Sequence, residues 1–275
     1  MLELSRVPSD LASALSGSRI DRKPEARLGT QLYHIVHPSG AHRYLKVAAA
    51  GSVEDLDVER ARLEWLSGRL PVPEVAGWWR NDEASYLLIT ELPGRTGSDE
   101  FWRDDVPALI GQIVEGMGTI HALDITGCPF VGTLAEELAE AERRIANGTL
   151  NLPEFLEDSG GRSPEDIYRE LRDRQGEIRE TVFTHGDYCL PNVLLRDWRI
   201  AGFIDWGNGG VADPNRDLMA MADSIAFNCG EQWRQPFFDA VDPAIVDHDT
   251  IRYYTLLDYF FGHHMPDAAA GDEQS

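Results

Sequence analysis

Cysteine is scarce in this chain. Its 275 residues hold three, Cys128, Cys189 and Cys229, which are far apart, odd in number and without the paired short spacing of a thiolate metal site. That pattern excludes a disulfide-stapled scaffold and a zinc cluster, and it fits reduced thiols in a cytoplasmic protein. Met1-Leu-Glu-Leu-Ser5 lacks a basic segment followed by an apolar stretch, so no secretory signal is expected. No apolar run approaches the roughly 18 residues of a membrane-spanning helix. Internal repeats and low-complexity tracts are absent, and Asp267–Ser275 reads as a polar tail. Basic residues are also in short supply: 25 Lys and Arg face 47 Asp and Glu, for a formal net charge of −22. Such a surface repels nucleic acid and anionic membranes and favours cationic partners. Acidity equally suits solubility or a saline habitat, so it selects no function by itself.

What is present is a folding chain, 43% hydrophobic and 9% aromatic, long enough for a large core or for two lobes. Its most informative stretch runs from Val182 to Gly207. Val182-Phe183 and Val193-Leu194-Leu195 read as short apolar strands flanking a polar loop. Asp197-Trp198-Arg199 is a turn, and Ile200–Ile204 is a third strand ending at Asp205. One small sheet thereby presents the carboxylate of Asp187, the amide of Asn192 and the carboxylate of Asp205. Phosphoryl transfer from a nucleotide needs that inventory. One carboxylate orients and deprotonates the acceptor hydroxyl, while a second carboxylate and an amide oxygen hold Mg²⁺ against the phosphates. His-x-Asp with Asn five residues after the Asp, followed by Asp-x-Gly, is the order of the kinase catalytic loop and its metal-binding partner. Asp and Asn are common in turns singly. Four such elements in the right order and spacing are not.

His185-Gly186-Asp187 has Gly where protein kinases carry Arg, and Asp205-Trp206-Gly207 has Trp where they carry Phe. In both respects the chain resembles the aminoglycoside phosphotransferase family of small-molecule kinases. The longer run His-Gly-Asp-x-Cys-Leu-Pro-Asn, with Gly-Phe-Ile-Asp205 and Gly-Val-Ala-Asp213 after it, is most similar to the aminoglycoside 3′-phosphotransferases. The resemblance spans about Tyr33 to Phe261. It implies an α+β, two-lobed, protein-kinase-like fold: an N-terminal nucleotide-binding lobe over residues 1–93, antiparallel sheet plus helix, and a larger, mostly helical catalytic and substrate-binding lobe over 94–275. Pro93-Gly94 is the punctuation between them.

The residues of the first segment support that reading. Leu11, Leu15 and Ile20 suggest a short leading helix. Leu28–Val36 and Arg43–Ala48 form a hairpin about the His37–Ala41 turn, preceded by a loop, Lys23–Thr30, without a glycine-rich signature. Lys46 lies mid-strand, where an ammonium needs a partner unless the strand is an edge. Val53–Leu66 reads as a helix whose apolar stripe, Leu56, Leu63 and Leu66, also contains Glu59. A carboxylate on an inward face is costly unless neutralised. Lys46–Glu59 thus resembles the kinase pair that fixes a lysine on the α- and β-phosphates of ATP or GTP. By the same resemblance Tyr44 stacks on adenine, and the main chain of Glu91 and Leu92, after the strand pair Gly77–Arg80 and Ser85–Thr90, hydrogen-bonds the base.

The remainder reads as helical. Val106, Leu109, Ile113, Met117 and Ile120 share one face of a helix ending at His121, a histidine read as structural. Ala135–Asn147, Pro164–Thr181, a helix after Asp213-Pro214 and an aromatic-rich helix Ile251–Phe261 follow. The resemblance makes Asp217 a brace for the catalytic loop. It makes an acidic loop, Leu150–Asp158, with Glu154, Glu157 and Asp158, a binder of substrate ammonium groups, with Asp223 and Asp258 as further contributors. Here the chain departs from the family. Phe227 and Asn228 replace expected acids, and Leu256-Leu-Asp258-Tyr259-Phe260-Phe261 has Tyr where the family has Glu. The chain also continues past the usual terminal carboxylate. The reading is a kinase of a small cationic acceptor, an aminoglycoside first, with a macrolide, another hydroxylated antibiotic or an amino sugar as alternatives. A nucleotide-binding pseudokinase would require a lost base or metal residue, and none is lost. A protein kinase is disfavoured by the absence of an Ala-Pro-Glu element after Asp205-Trp206-Gly207.

Overall fold

Period-two alternation builds the first part of the chain. The computed structural model describes residues 6–24, 30–52, 55–131 and 133–262, and these divide into two compact units. The first unit runs to Gly94 and includes Ala201–Asn208. After a short helix α1 (Ser9–Ala14), strands β1 (Arg19–Lys23), β2 (Thr30–Val36) and β3 (His42–Ala49) precede helix α2 (Leu56–Leu66). Strands β4 (Val75–Arg80) and β5 (Ala84–Thr90) complete the unit. The sheet is antiparallel in the order β1-β2-β3-β5-β4. On one face Tyr33, Ile35, Leu45, Tyr86 and Leu88 pack with Leu11 and Leu15. Residues of the opposite parity, Lys46 among them, therefore point to the other face.

Ile20 is a strand residue, not a helical one: α1 stops after one turn, and Ile20 pairs with Ile35 across β1 and β2. Six residues are too few to hold a helix without tertiary support, and the sheet edge offers backbone partners instead. Leu28, Gly29, Val53 and most of the Lys23–Thr30 loop lie outside the described residues, as do Met1–Ser5 and Asp267–Ser275. Helix α2 begins at Leu56, where the Asp55 side chain accepts from the Asp57 backbone N–H and caps the helix.

The second unit contains β6 (Arg95–Thr96), α3 (Val106–His121), α4 (Thr133–Asn147), α5 (Leu152–Asp158) and α6 (Pro164–Arg174). Then follow β7 (Val182–Thr184), β8 (Val193–Arg196), β9 (Arg199–Phe203), β10 (Gly210–Ala212), α7 (Asn215–Cys229), α8 (Arg234–Ala240) and α9 (His248–Asp258). Strand β9 starts in this unit, and its residues from Ala201 belong to the first. Two small sheets, β10-β7 and β6-β8-β9, carry the catalytic-loop candidates. A core of Leu134, Leu138, Ile167, Leu171, Tyr253 and Phe260 joins α4, α6 and α9.

Two expectations are corrected here. Leu150–Asp158 is not a loop, because α5 occupies Leu152–Asp158 and its Phe155 is buried. The helix expected over Pro164–Thr181 ends at Arg174 and passes through a 3₁₀ turn at Gln175–Glu177. Among the described residues no helix is long and apolar enough to cross a membrane.

Candidate active site

Lys46 stands on the central strand β3, opposite Leu32 of β2 and Leu87 of β5. Its Nζ donates to both carboxylate oxygens of Glu59 at 2.8 Å and to Oδ1 of Asp205 at 3.0 Å. Glu59 is 1% exposed and Lys46 13%. A carboxylate that deep persists only beside a neutralising charge, which explains why an acidic residue occupies the apolar stripe of α2. Asp205 is more open, at 35%, and its backbone lies in the left-handed region, φ 65°. That conformation costs on the order of 1 kcal/mol or more for a residue with a Cβ. Neighbouring bonds hold it: Arg62 donates to the Gly207 carbonyl at 2.7 Å, Trp206 Nε1 to the Phe203 carbonyl at 3.1 Å, and Phe203 N to the Pro71 carbonyl at 2.9 Å. Tyr44, two residues before the lysine and on its face, donates its hydroxyl to Glu91 Oε1 at 3.4 Å. The Glu91 N–H bonds the His42 carbonyl at 3.2 Å.

In the second unit, β7 delivers Thr184 to a turn at His185-Gly186-Asp187. Gly186 has φ 78°, a conformation costly to any residue with a side chain. The backbone N–H groups of His185 and Gly186 donate to Oδ2 and Oδ1 of Asp217, each at 2.9 Å. His121 Nε2 meets Oδ2 at 3.0 Å. Asp217 has no solvent exposure. Its brace position and the structural role of His121 are thus one arrangement. Asn192 Nδ2 donates to the Asp187 carbonyl at 2.9 Å and to Asp187 Oδ2 at 3.1 Å. The amide nitrogen is committed to Asp187, which leaves the amide oxygen as the atom able to hold a cation.

Two supports of this loop had no clear signal in the sequence. Ser224 Oγ accepts from Leu190 N at 2.9 Å, and the Tyr188 hydroxyl donates to the Ile113 carbonyl at 2.8 Å. A Cβ on Gly116 would lie 2.8 Å from that hydroxyl oxygen, so this interruption of α3 is a close approach. The glycine was visible in the sequence; its neighbour was not.

Burial alone would raise the Asp217 carboxyl. The hydrogen bond from His121, the charges of His121 and His185 and the His185 backbone N–H outweigh it and hold the group below its ordinary value. A depressed folded-state value means that the stabilisation is present above the unfolded value of about 4 and is lost as pH falls through the folded one. Asp217→Asn is therefore expected to lower stability by about 3 kcal/mol at neutral pH. The deficit against wild type should narrow as urea titrations are taken below about pH 4. A pH-independent deficit would contradict the charged role.

Residues 24–254 match the model of the phosphotransferase enzyme family. The chain belongs to that family. An aminoglycoside 3′-phosphotransferase from Niallia circulans is 31% identical over 255 residues, covering 92% of this chain and 97% of that protein. Streptomycin 3″-kinase from Streptomyces griseus is 30% identical, covering 82% and 86%. An aminoglycoside phosphotransferase from Streptomyces rimosus, solved with ADP and streptomycin, superposes with a TM-score of 0.76 at 26% identity, covering 94% of this chain and 99% of that one. The protein is a phosphotransferase acting on a hydroxyl group, with a kinase-like fold of antiparallel-sheet and helical parts.

The acidic residues of the phosphotransferase do not all gather. Glu154 and Glu157 lie on the exposed side of α5, and Glu154 accepts from Asn151 Nδ2 at 2.6 Å. The charges of Asp158, Asp223 and Asp258 act instead on Tyr259. Burial first, and then the charges of these three, push its phenol up, against a lowering effect of Arg252. Asp223 is ion-paired with Arg234, which also holds Glu231 at 2.7 Å. Phe227 is exposed, and Asn228 Nδ2 turns back to the Ser224 carbonyl at 2.7 Å.

Proposed function

We propose that this phosphotransferase moves the γ-phosphoryl group of ATP or GTP to a hydroxyl of an aminoglycoside. The observation that carries the reading is Lys46, an ammonium on a central strand held by a buried carboxylate and by Asp205. The same ammonium suits the α- and β-phosphates of a nucleotide, with Glu59 fixing its position. Tyr44 offers a ring to the base, and the main chain of Glu91 and Leu92 offers it hydrogen-bonding groups. Asp187 accepts the proton of the attacking hydroxyl, and Asn192 orients it. No covalent enzyme intermediate is required, since positioning and charge neutralisation carry this chemistry.

Asp205 and the Asn192 amide oxygen are hard oxygen donors that fit Mg²⁺, which when bound would neutralise charge on the phosphates. The working compartment is the cytoplasm, where the nucleotide and the reduced cysteines coexist. Neither nucleic acid nor a membrane is a partner in this reading, given the net charge of −22.

Aminoglycosides are the acceptor class supported by the relatives' names, which point to both 3′- and 3″-hydroxyls. The acidic residues Asp158, Asp223 and Asp258 around Tyr259 supply charge for ammonium groups. The test is nucleoside diphosphate release with Mg-ATP and Mg-GTP against kanamycin- and neomycin-like compounds, their 3′-deoxy analogues and streptomycin. Turnover that requires the 3′-hydroxyl supports 3′ transfer, and turnover with streptomycin alone moves the site to 3″. Activity confined to macrolides or amino sugars would overturn the acceptor class and leave the kinase chemistry standing.

A further inference from the structure

We propose that His34, His42 and Glu91 form a binding site for a divalent transition-metal ion of the zinc type, separate from the oxygen donors assigned to Mg²⁺. Strand register creates it. Arg43 pairs with Thr90, so His42 falls opposite Glu91; His34 pairs with Tyr44 and Val36 with His42, so His34 is diagonal to His42 on the same face. Glu91 Oε2 lies 3.2 Å from His34 Nε2 and 3.0 Å from His42 Nδ1. One donor atom from each residue lies within 4.8 Å of the other two. A tetrahedral zinc ion with bonds of about 2.0–2.1 Å separates its ligand atoms by roughly 3.3–3.4 Å. Two of the three separations are already within a few tenths of an ångström of that value, and the third is at most 4.8 Å.

Ligand chemistry and exposure agree. Two imidazoles and a carboxylate suit zinc, cobalt or nickel, whereas Mg²⁺ prefers oxygen. The His34 side chain is 13% exposed, Glu91 31% and His42 50%, so the group forms a rim open to solvent, with room for a water as fourth ligand. The residues lie at the end of the row that carries Tyr44, whose ring centroid is 5.1 Å from that of His34.

The experiment is a Co²⁺ titration of the chelator-treated full-length protein, followed in the visible spectrum and displaced with Zn²⁺. Wild type is expected to bind one equivalent with the strong ligand-field bands of a four- or five-coordinate site, without a thiolate charge-transfer band. His42→Ala and His34→Gln should each weaken Co²⁺ by more than about 100-fold, beyond the 10–100-fold typical of groups that only orient ligands. His37→Ala, a neighbouring histidine outside the trio, should bind as wild type. Equal affinity in His42→Ala, absence of the bands, or a thiolate band from a cysteine site would overturn the proposal.

Discussion

Replacing Asp187 with alanine is expected to lower kcat with an aminoglycoside acceptor by about 10³-fold or more, at the strong end of what a positioned proton acceptor contributes. The fold should survive the change. Asn192 holds the loop partly through the Asp187 carbonyl, at 2.9 Å, and that bond needs no side chain. Asp217 grips the backbone of His185 and Gly186, upstream of the substituted side chain. Melting temperature and ADP affinity should therefore stay close to wild type while turnover collapses. Asp187→Asn separates geometry from chemistry, because the amide keeps the shape and cannot take the proton. Near-wild-type kcat in either variant, within about tenfold, would remove Asp187 from the base role.

Lys46→Met is expected to cost both activity and about 3–5 kcal/mol of stability, the range seen when one partner of a buried ion pair is deleted. Glu59, at 1% exposure, would keep its charge in the interior without the Lys46 ammonium. The pairing is tested by a double substitution. Lys46→Met with Glu59→Gln removes both charges and should recover most of the lost stability, read as the urea midpoint, while activity stays low. Glu59→Gln alone leaves Lys46 on Asp205, 3.0 Å away, and should cost less stability than Lys46→Met. If the double variant were no more stable than Lys46→Met, the two charges would not be coupled as the distances indicate.

Lys46 and Glu59 were readable in sequence because each violates its surroundings: a lysine inside an apolar strand and a glutamate on an apolar stripe. Asp187 and Asn192 were readable from spacing within one loop. Residues 201–208 carry the Asp205-Trp206-Gly207 motif but no mark of what they pack against. That segment joins the first unit because Asp205 meets Lys46 and Gly207 meets Arg62, pairings that no local pattern encodes. The acidic composition of α5 hid its helical stripe of Leu152, Phe155 and Leu156, so charge was read where periodicity should have decided. Strand β1, Arg-Ile-Asp-Arg-Lys, has one apolar residue, Ile20, which packs against the core while the backbone pairs with β2. The Arg234 partner of Asp223 and the convergence of His34, His42 and Glu91 arise from packing and register, which appear only once the elements are assembled.

Phosphorus NMR of the product most directly tests transfer to an aminoglycoside hydroxyl. With ATP, Mg²⁺ and a 3′-hydroxylated aminoglycoside, the expected result is one phosphomonoester resonance coupled to a carbinol proton of the sugar, formed in step with ADP and absent with Asp187→Ala. Inorganic phosphate alone would make the protein a nucleotide hydrolase towards these compounds and would contradict the assignment of the aminoglycoside as acceptor.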